Sequence, residues 1–158
     1  MVAFTLNGAP AAADVPDNAT LLQALRGPLG LSSPRFGCGT EQCGSCMVLL
    51  DGKPAYACTL SAAAVAGRQV VTVEGLGTPE SPHPLQAAFL EEQAGQCGYC
   101  LSGILISAAA LLAANPDPDE ATIRRALDPH LCRCGSHNRI IRAVRRAARR
   151  MQEQGRAP

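Results

Sequence analysis

"FGCGTEQCGSC", residues 36–46, places three cysteines and three glycines in eleven positions. Cys38, Cys43 and Cys46 are spaced C-x4-C-x2-C, and Cys58 follows after eleven residues. This is the spacing of a plant-type 2Fe-2S site, in which all four ligands are thiolates. Gly37, Gly39 and Gly44 can adopt φ > 0, which would let the loop curl with its N–H groups facing inward. Hydrogen bonds of the N–H···S kind stabilise an added electron and raise the reduction potential. Asp51-Gly52, in "CMVLLDGKPAYACTL", is a hairpin-turn signal that would fold Cys58 back towards Cys46. A structural zinc usually presents paired C-x2-C knuckles, and this pattern fits that poorly.

The other four cysteines lie after residue 96. "GQCGYC" and "LCRCG" supply Cys97, Cys100, Cys132 and Cys134, as C-x2-C, a gap of 31 residues, then C-x-C. Alone this set is ambiguous, because C-x2-C is also a zinc knuckle and a redox dithiol motif. Its placement favours a cluster. Both pairs precede expected helices, and helix N-termini favour anions such as a thiolate-ligated cluster. Eight cysteines in a chain with no basic n-region, long apolar run or twin-arginine pair at its start are not expected to be structural disulfides.

The sequence of 158 residues is 47% apolar, with no Trp, two Tyr and three Phe, so its core must be built from Ala, Leu, Val and Ile. A net charge of +1 argues against bulk attraction to nucleic acid or anionic membrane. The longest apolar stretch, residues 104–114, is far short of the roughly 20 residues of a membrane span. A cytoplasmic protein is expected.

The first half reads as strands and turns. "VAFTLNG" alternates towards Asn7-Gly8, a hairpin signal. Asn18 or Thr20 would cap a short helix over Leu21, Leu22 and Leu25, ended by Gly27. "RQVVTVEGL" is a last strand. This order is that of a β-grasp. "GLGTPESPHP" (75–84) breaks the pattern, placing a boundary between residues 1–76 and 77–158. Four helices follow: "PLQAAFLEEQAG" to Gly95, the nearly all-apolar "LSGILISAAALLAAN", "DEATIRRAL" with Asp117 and Glu120 as caps, and one from near Ser136 through "RIIRAVRRAARRMQ". The expected fold class is α+β, a β-grasp ferredoxin-like domain followed by a four-helix bundle.

"GCGTEQCGSC", "QCGYC" and "CRCG" together resemble the iron–sulfur subunit of the xanthine oxidase family of molybdenum hydroxylases, over residues 3–148. "EGL", "HPLQAAFLEEQA" and "LLAANPDP" resemble its separate small subunits, of the nicotinate dehydrogenase and isoquinoline oxidoreductase type. The resemblance implies an outer 2Fe-2S cluster on Cys38, Cys43, Cys46 and Cys58. An inner one would be held by Cys97, Cys100, Cys132 and Cys134. Gln96 matches a glutamine that hydrogen-bonds the molybdopterin held by a large partner subunit, and Cys134 matches the ligand nearest the pterin. Electrons would pass from molybdopterin through the inner and outer clusters to a flavin (FAD) subunit or a cytochrome. The reaction served would be hydroxylation of an N-heteroaromatic such as nicotinate, or oxidation of an aldehyde. Leu101 and Ser102 stand where many members have Gln and Pro, and Asn138 stands where proline is common.

Other features read more plainly. Arg139, Arg142, Arg145, Arg146, Arg149 and Arg150 lie mostly opposite Ile140, Ile141 and Val144, as a solvated or partner-facing surface without the aromatic residues that stack on bases. His83, His130 and His137 read as caps or surface residues. No nucleotide-binding glycine motif or catalytic arrangement is present. The competing functions are a free-standing two-cluster ferredoxin, usually acidic where this chain is neutral, and a redox-sensing or zinc-stabilised interaction module.

Overall fold

In the computed structural model, residues 1–155 are described; the last three residues of the expected second domain lie outside them. Asn7 and Gly8 take φ of 51° and 83°, the left-handed pair that a tight hairpin turn requires. They join β1 (Val2–Leu6) to β2 (Ala9–Ala13). Asp51 and Gly52, at 49° and 79°, likewise join β3 (Met47–Leu50) to β4 (Lys53–Tyr56). β5 (Gln69–Val71) lies between the hairpins, parallel to β1 and antiparallel to β3, giving the order β2-β1-β5-β3-β4.

β5 is shorter than the expected last strand. Asn7 accepts from the Thr72 N–H at 2.8 Å and donates to the Thr72 hydroxyl at 3.0 Å. The turn asparagine thus takes over the pairing, and Val73–Gly75 winds into a single 3-10 turn. Of the two candidate caps, Thr20 serves α1 (Leu21–Arg26), in a reciprocal box with Gln23, and Gly27 ends it. Leu21, Leu22, Ala24 and Leu25 pack against Phe4, Val48, Val65 and Val70 to form the first core. A 3-10 turn at Ala62–Val65 carries no strong sequence signal, since its residues are small and aperiodic.

The second half comprises α2 (Pro84–Glu91), α3 (Leu101–Ala114), α4 (Glu120–Leu127) and α5 (His137–Glu153). Their buried residues, among them Leu85, Phe89, Ile104, Leu112, Ile123 and Val144, form a second core. α2 stops before Gly95, because Gln93 turns to φ 48° and Ala94 N–H donates back to the Phe89 carbonyl at 2.9 Å, a C-terminal closure that satisfies the last carbonyls. The α4 cap is Asp119 rather than Asp117: its carboxylate accepts from Thr122 N–H at 2.7 Å. Asp117 instead donates its own N–H to the Asn115 side chain. Glu120 is no cap either but pairs with Arg124 and Arg145.

The arginine face of α5 departs from a purely solvated surface. Arg142 and Arg146 bind Glu92, and Arg146 and Arg150 bind Glu91, so the row clamps α2. Such exposed pairs are each worth at most about 1 kcal/mol. Burial beneath them does most of the joining.

α3 also packs against β3, which ties the two halves together. At that seam a Cβ on Gly103 would sit 1.9 Å from the Gly44 carbonyl oxygen, and one on Gly44 would sit 2.2 Å from His130 Nδ1. His130 is therefore neither a cap nor a surface residue. It is 4% exposed, and its Nε2 lies 2.7 Å from the Ser107 hydroxyl. Burial pushes its pKa down to about 4, so the ring is neutral at pH 7. His83 does cap, accepting from Leu85 N–H at 3.1 Å, and His137 is exposed at the start of α5.

A Gly103→Ala substitution forces a methyl group into a backbone contact. Overpacking of this kind costs about 1–3 kcal/mol, so the denaturation midpoint should fall measurably. An unchanged midpoint would mean that the seam is not close-packed.

Candidate metal centres

The loop that enters at Arg35 is closed at its base by the Arg35 N–H, which donates to the Ser45 carbonyl at 3.0 Å. Inside it the N–H groups turn towards sulfur. Thr40 and Gln42 donate to Cys38 Sγ at 3.3 and 3.2 Å, and Cys38 donates to Cys43 Sγ at 3.4 Å. Gly39 and Gly44 both take φ 71°. Gly37 does not, and its requirement is space: a Cβ there would fall 2.6 Å from Cys43 Sγ. The remaining left-handed residue is Glu41, at φ 61°. Its carboxylate accepts a hydrogen bond from the Thr59 hydroxyl, which anchors the loop tip to the residue after Cys58. Nothing in the residue spacing signals that anchor.

Cys46 and Cys58 lie buried at the base of the loop, at the near ends of β3 and β4. The four thiols differ in electrostatic setting. The Thr40 N–H, above all, draws the Cys38 thiol down to about 6. Burial pushes Cys46 up to about 12, and the neighbouring Cys58 and Cys43 sulfurs also penalise its charge.

In the second set, Cys100 occupies the N-cap of α3, and Cys132 and Cys134 precede Ser136, the N-cap of α5. The sulfurs of the two segments interact across the gap between them. Cys97 interacts with Cys134, and Cys100 with Cys132. Burial drives Cys100 to about 12. Cys97, held by the Tyr99 N–H at 3.5 Å, is lowered. Burial opposes the Cys132 thiolate, yet hydrogen bonds from Ser136 N–H, Cys100, Cys134 N–H and Gly135 N–H leave its pKa lowered. That is the anion-favouring environment of a helix N-terminus.

All eight cysteines are free thiols, and among the described residues no three His, Cys, Asp or Glu converge as for a single ion. Within each set a thiol meets more than one neighbour, Cys46 both Cys58 and Cys43, and Cys97 both Cys134 and Cys132. Neighbouring thiols not focused on a single point suit a two-iron cluster, in which each iron takes two of the four sulfurs. Backbone N–H groups aimed at sulfur are the surroundings an anionic cluster requires. The donor sets therefore fit iron–sulfur clusters.

Gln96 is exposed, and its amide donates to the Cys134 carbonyl at 3.2 Å, bridging the two cysteine segments. It borders a concavity of about 620 Å³ whose lining includes Phe89, Leu90, Leu101 and Arg139. Two further residues lie between the sets. Tyr99 donates its hydroxyl to the Phe36 carbonyl, and Leu131 donates its N–H to the Cys43 carbonyl at 3.1 Å. The tyrosine is visible in the motif as a polar aromatic between two ligand positions. The Leu131 contact uses only backbone, so no side chain could announce it.

Residues 4–72 match the family described as a 2Fe-2S iron-sulfur cluster binding domain, and residues 72–145 match a 2Fe-2S binding domain. The chain is 46% identical over 147 residues to a nicotinate dehydrogenase subunit of Pseudomonas putida, covering 93% of this chain and 94% of that one. It is 47% identical over 150 residues to the alpha chain of isoquinoline 1-oxidoreductase of Brevundimonas diminuta, covering 94% and 98%. The crystal structure of the aldehyde oxidoreductase from Desulfovibrio desulfuricans superposes with a TM-score of 0.92 at 37% identity, covering 97% of this chain but 17% of that one.

Thiolates react with alkylating agents and thiols do not. In metal-free protein at pH 7, Cys38 and Cys97 should therefore be modified first and Cys46 and Cys100 last, as read by peptide mapping. The Cys38 rate should fall as the pH drops through about 6, where its thiolate is protonated. Uniform labelling would contradict the charge pattern.

Proposed function

The chain belongs to the iron–sulfur subunits of the xanthine oxidase family of molybdenum hydroxylases, and we propose that its two cysteine sets form the ordered electron path of such an enzyme. It is the electron-transfer subunit of an oxidoreductase whose molybdopterin sits on a large partner subunit. Cys38, Cys43, Cys46 and Cys58 hold the outer 2Fe-2S cluster, and Cys97, Cys100, Cys132 and Cys134 hold the inner one. The observation that carries this reading is the gathering of the thiols of each set under backbone N–H groups, with the Leu131–Cys43 backbone hydrogen bond between the two sets.

The clusters, when bound, supply one-electron carriers. The protein supplies their setting. The N–H groups of Thr40 and Gln42 stabilise negative charge on Cys38, and burial of Cys46, Cys58 and Cys100 keeps water from the inner side of each site. Gln96, exposed beside Cys97 and already holding the Cys134 backbone, is the residue placed to reach the molybdopterin of the partner. Cys134 is then the ligand nearest the pterin.

The sheet order, with parallel β1 and β5 in the middle, supports a β-grasp for residues 1–76, and the packing of α2 to α5 supports a four-helix bundle for 77–158. The names of the nicotinate and isoquinoline relatives favour an N-heteroaromatic substrate for the assembled enzyme, with an aldehyde as the alternative. The acceptor is a FAD subunit or a cytochrome c. No helix among the described residues is long and apolar enough to cross a membrane, and we place the complex in the cytoplasm.

Two domains with two irons each give four irons and four sulfides per chain. Purified complex should show that content and two EPR signals after reduction, and zinc without sulfide would overturn the reading. Cys58→Ser should remove one signal and halve the iron. Gln96→Ala should leave both signals intact but slow the delivery of electrons from molybdenum; unchanged turnover would reject the pterin contact. A stable loaded monomer with no large subunit in the native host would point to a free ferredoxin instead.

A further inference from the structure

The loop of residues 36–46 is held against the second half of the molecule at both of its ends. Its far end is fixed by backbone: Leu131 N–H donates to the Cys43 carbonyl, and Gly44 lies against Gly103 and the buried His130 ring. Leu131 is also the residue immediately before Cys132. The near end, by contrast, is fixed by one side chain. Tyr99, between Cys97 and Cys100, donates its hydroxyl to the Phe36 carbonyl, two residues before Cys38. Its ring carries the Arg35 guanidinium at 5.1 Å from the centroid, within cation–π range. The Tyr99 N–H meanwhile donates to Cys97 Sγ. One residue thus touches a ligand of the second set and the backbone entering the first. The Phe36 ring completes the clasp by lying over Gly39, where a Cβ would approach its Cε2 to 3.1 Å.

We propose that Tyr99 is a positioning residue that sets the spacing between the two cysteine sites through its hydroxyl bond to Phe36. The proposal rests on the reading of both sites as cluster-binding. Without the hydroxyl, the loop would keep its Arg35–Ser45 and Cys43–Leu131 backbone bonds, but Phe36 would lose its tie to the second half and could shift relative to it, with Cys38 following. The Arg35 stack alone is less directional, so it would keep the ring nearby without fixing the distance.

The test compares wild-type, Tyr99→Phe and Arg35→Ala proteins in the assembled complex. Four irons and two EPR signals in the wild type secure the underlying reading; their absence there would remove that reading, and with it this proposal. In Tyr99→Phe, loss of one hydrogen bond should raise hydrogen exchange at residues 36–39 about tenfold, while exchange in the sheet stays unchanged. With both clusters reduced, the magnetic interaction between them should also change, a signature that a loss of general stability would not produce. Arg35→Ala, which keeps the hydroxyl, should show a smaller rise in exchange and a wild-type interaction. Wild-type exchange and wild-type magnetic coupling in Tyr99→Phe would overturn the proposal, as would a larger effect in Arg35→Ala. Should Tyr99→Phe lose iron from its own cysteine set, exchange at residues 36–39 still decides: a rise supports the clasp, and wild-type protection rejects it.

Discussion

The contact between Gly44 and Gly103 is the constraint on which the rest of the molecule depends. Neither position has room for a Cβ: one on Gly103 would meet the Gly44 carbonyl, and one on Gly44 would meet the His130 ring. Gly103 is three residues after Cys100, and Gly44 is one after Cys43. This close approach of the two halves therefore falls beside ligand positions of both cysteine sets. His130 fills the remaining space, and its bond with Ser107 of α3 holds the ring in place without charge. Two separate cores could in principle move as two bodies. The close-packed seam, where interiors tolerate little change in volume, makes them one support for both sites.

Each site contains a divided set of thiols. Cys38 and Cys97 face backbone N–H groups and are lowered, whereas burial raises Cys46 and Cys100 to about 12. A cluster ligand must be a thiolate, so in the proposed assignment loading expels protons from the buried Cys46 and Cys100. Cys38, drawn down to about 6, is already largely thiolate at neutral pH. The same burial that resists the thiolate in the metal-free protein shields the charge of a bound cluster from water. Function here rests on the arrangement of sulfur, amide and exclusion of solvent, and no side chain needs to perform bond chemistry.

Much of the fold was legible because its signals are local. Asn7-Gly8 and Asp51-Gly52 make the expected turns, Thr20 caps α1, and the apolar run 101–114 is a buried helix. The misreadings share a cause, which is a competing partner elsewhere in the chain. The last strand is cut short by Asn7, 65 residues away from Thr72. The arginines of α5 are exposed as their own helix suggests, yet Arg142, Arg146 and Arg150 also meet Glu91 of α2 and Glu92 at its end. His130 sits in an ordinary loop segment, and only the approach of Gly44 and α3 buries it. Asp119 displaces Asp117 as a cap because its carboxylate is the one that reaches the Thr122 N–H.

The sequence by itself determined the eight sulfurs, their division into two sets and the turns that gather them, because ligand spacing and turn chemistry are written in consecutive residues. It also carried the resemblance that assigns those sets to an iron–sulfur chain of a molybdenum hydroxylase. Tertiary structure alone decided how the sets stand towards each other. The Leu131–Cys43 bond, the Gly44–Gly103 contact and the Tyr99–Phe36 clasp each join segments 59 to 88 residues apart. Contacts of that range depend on how the two cores pack together, and no local pattern of residues encodes them.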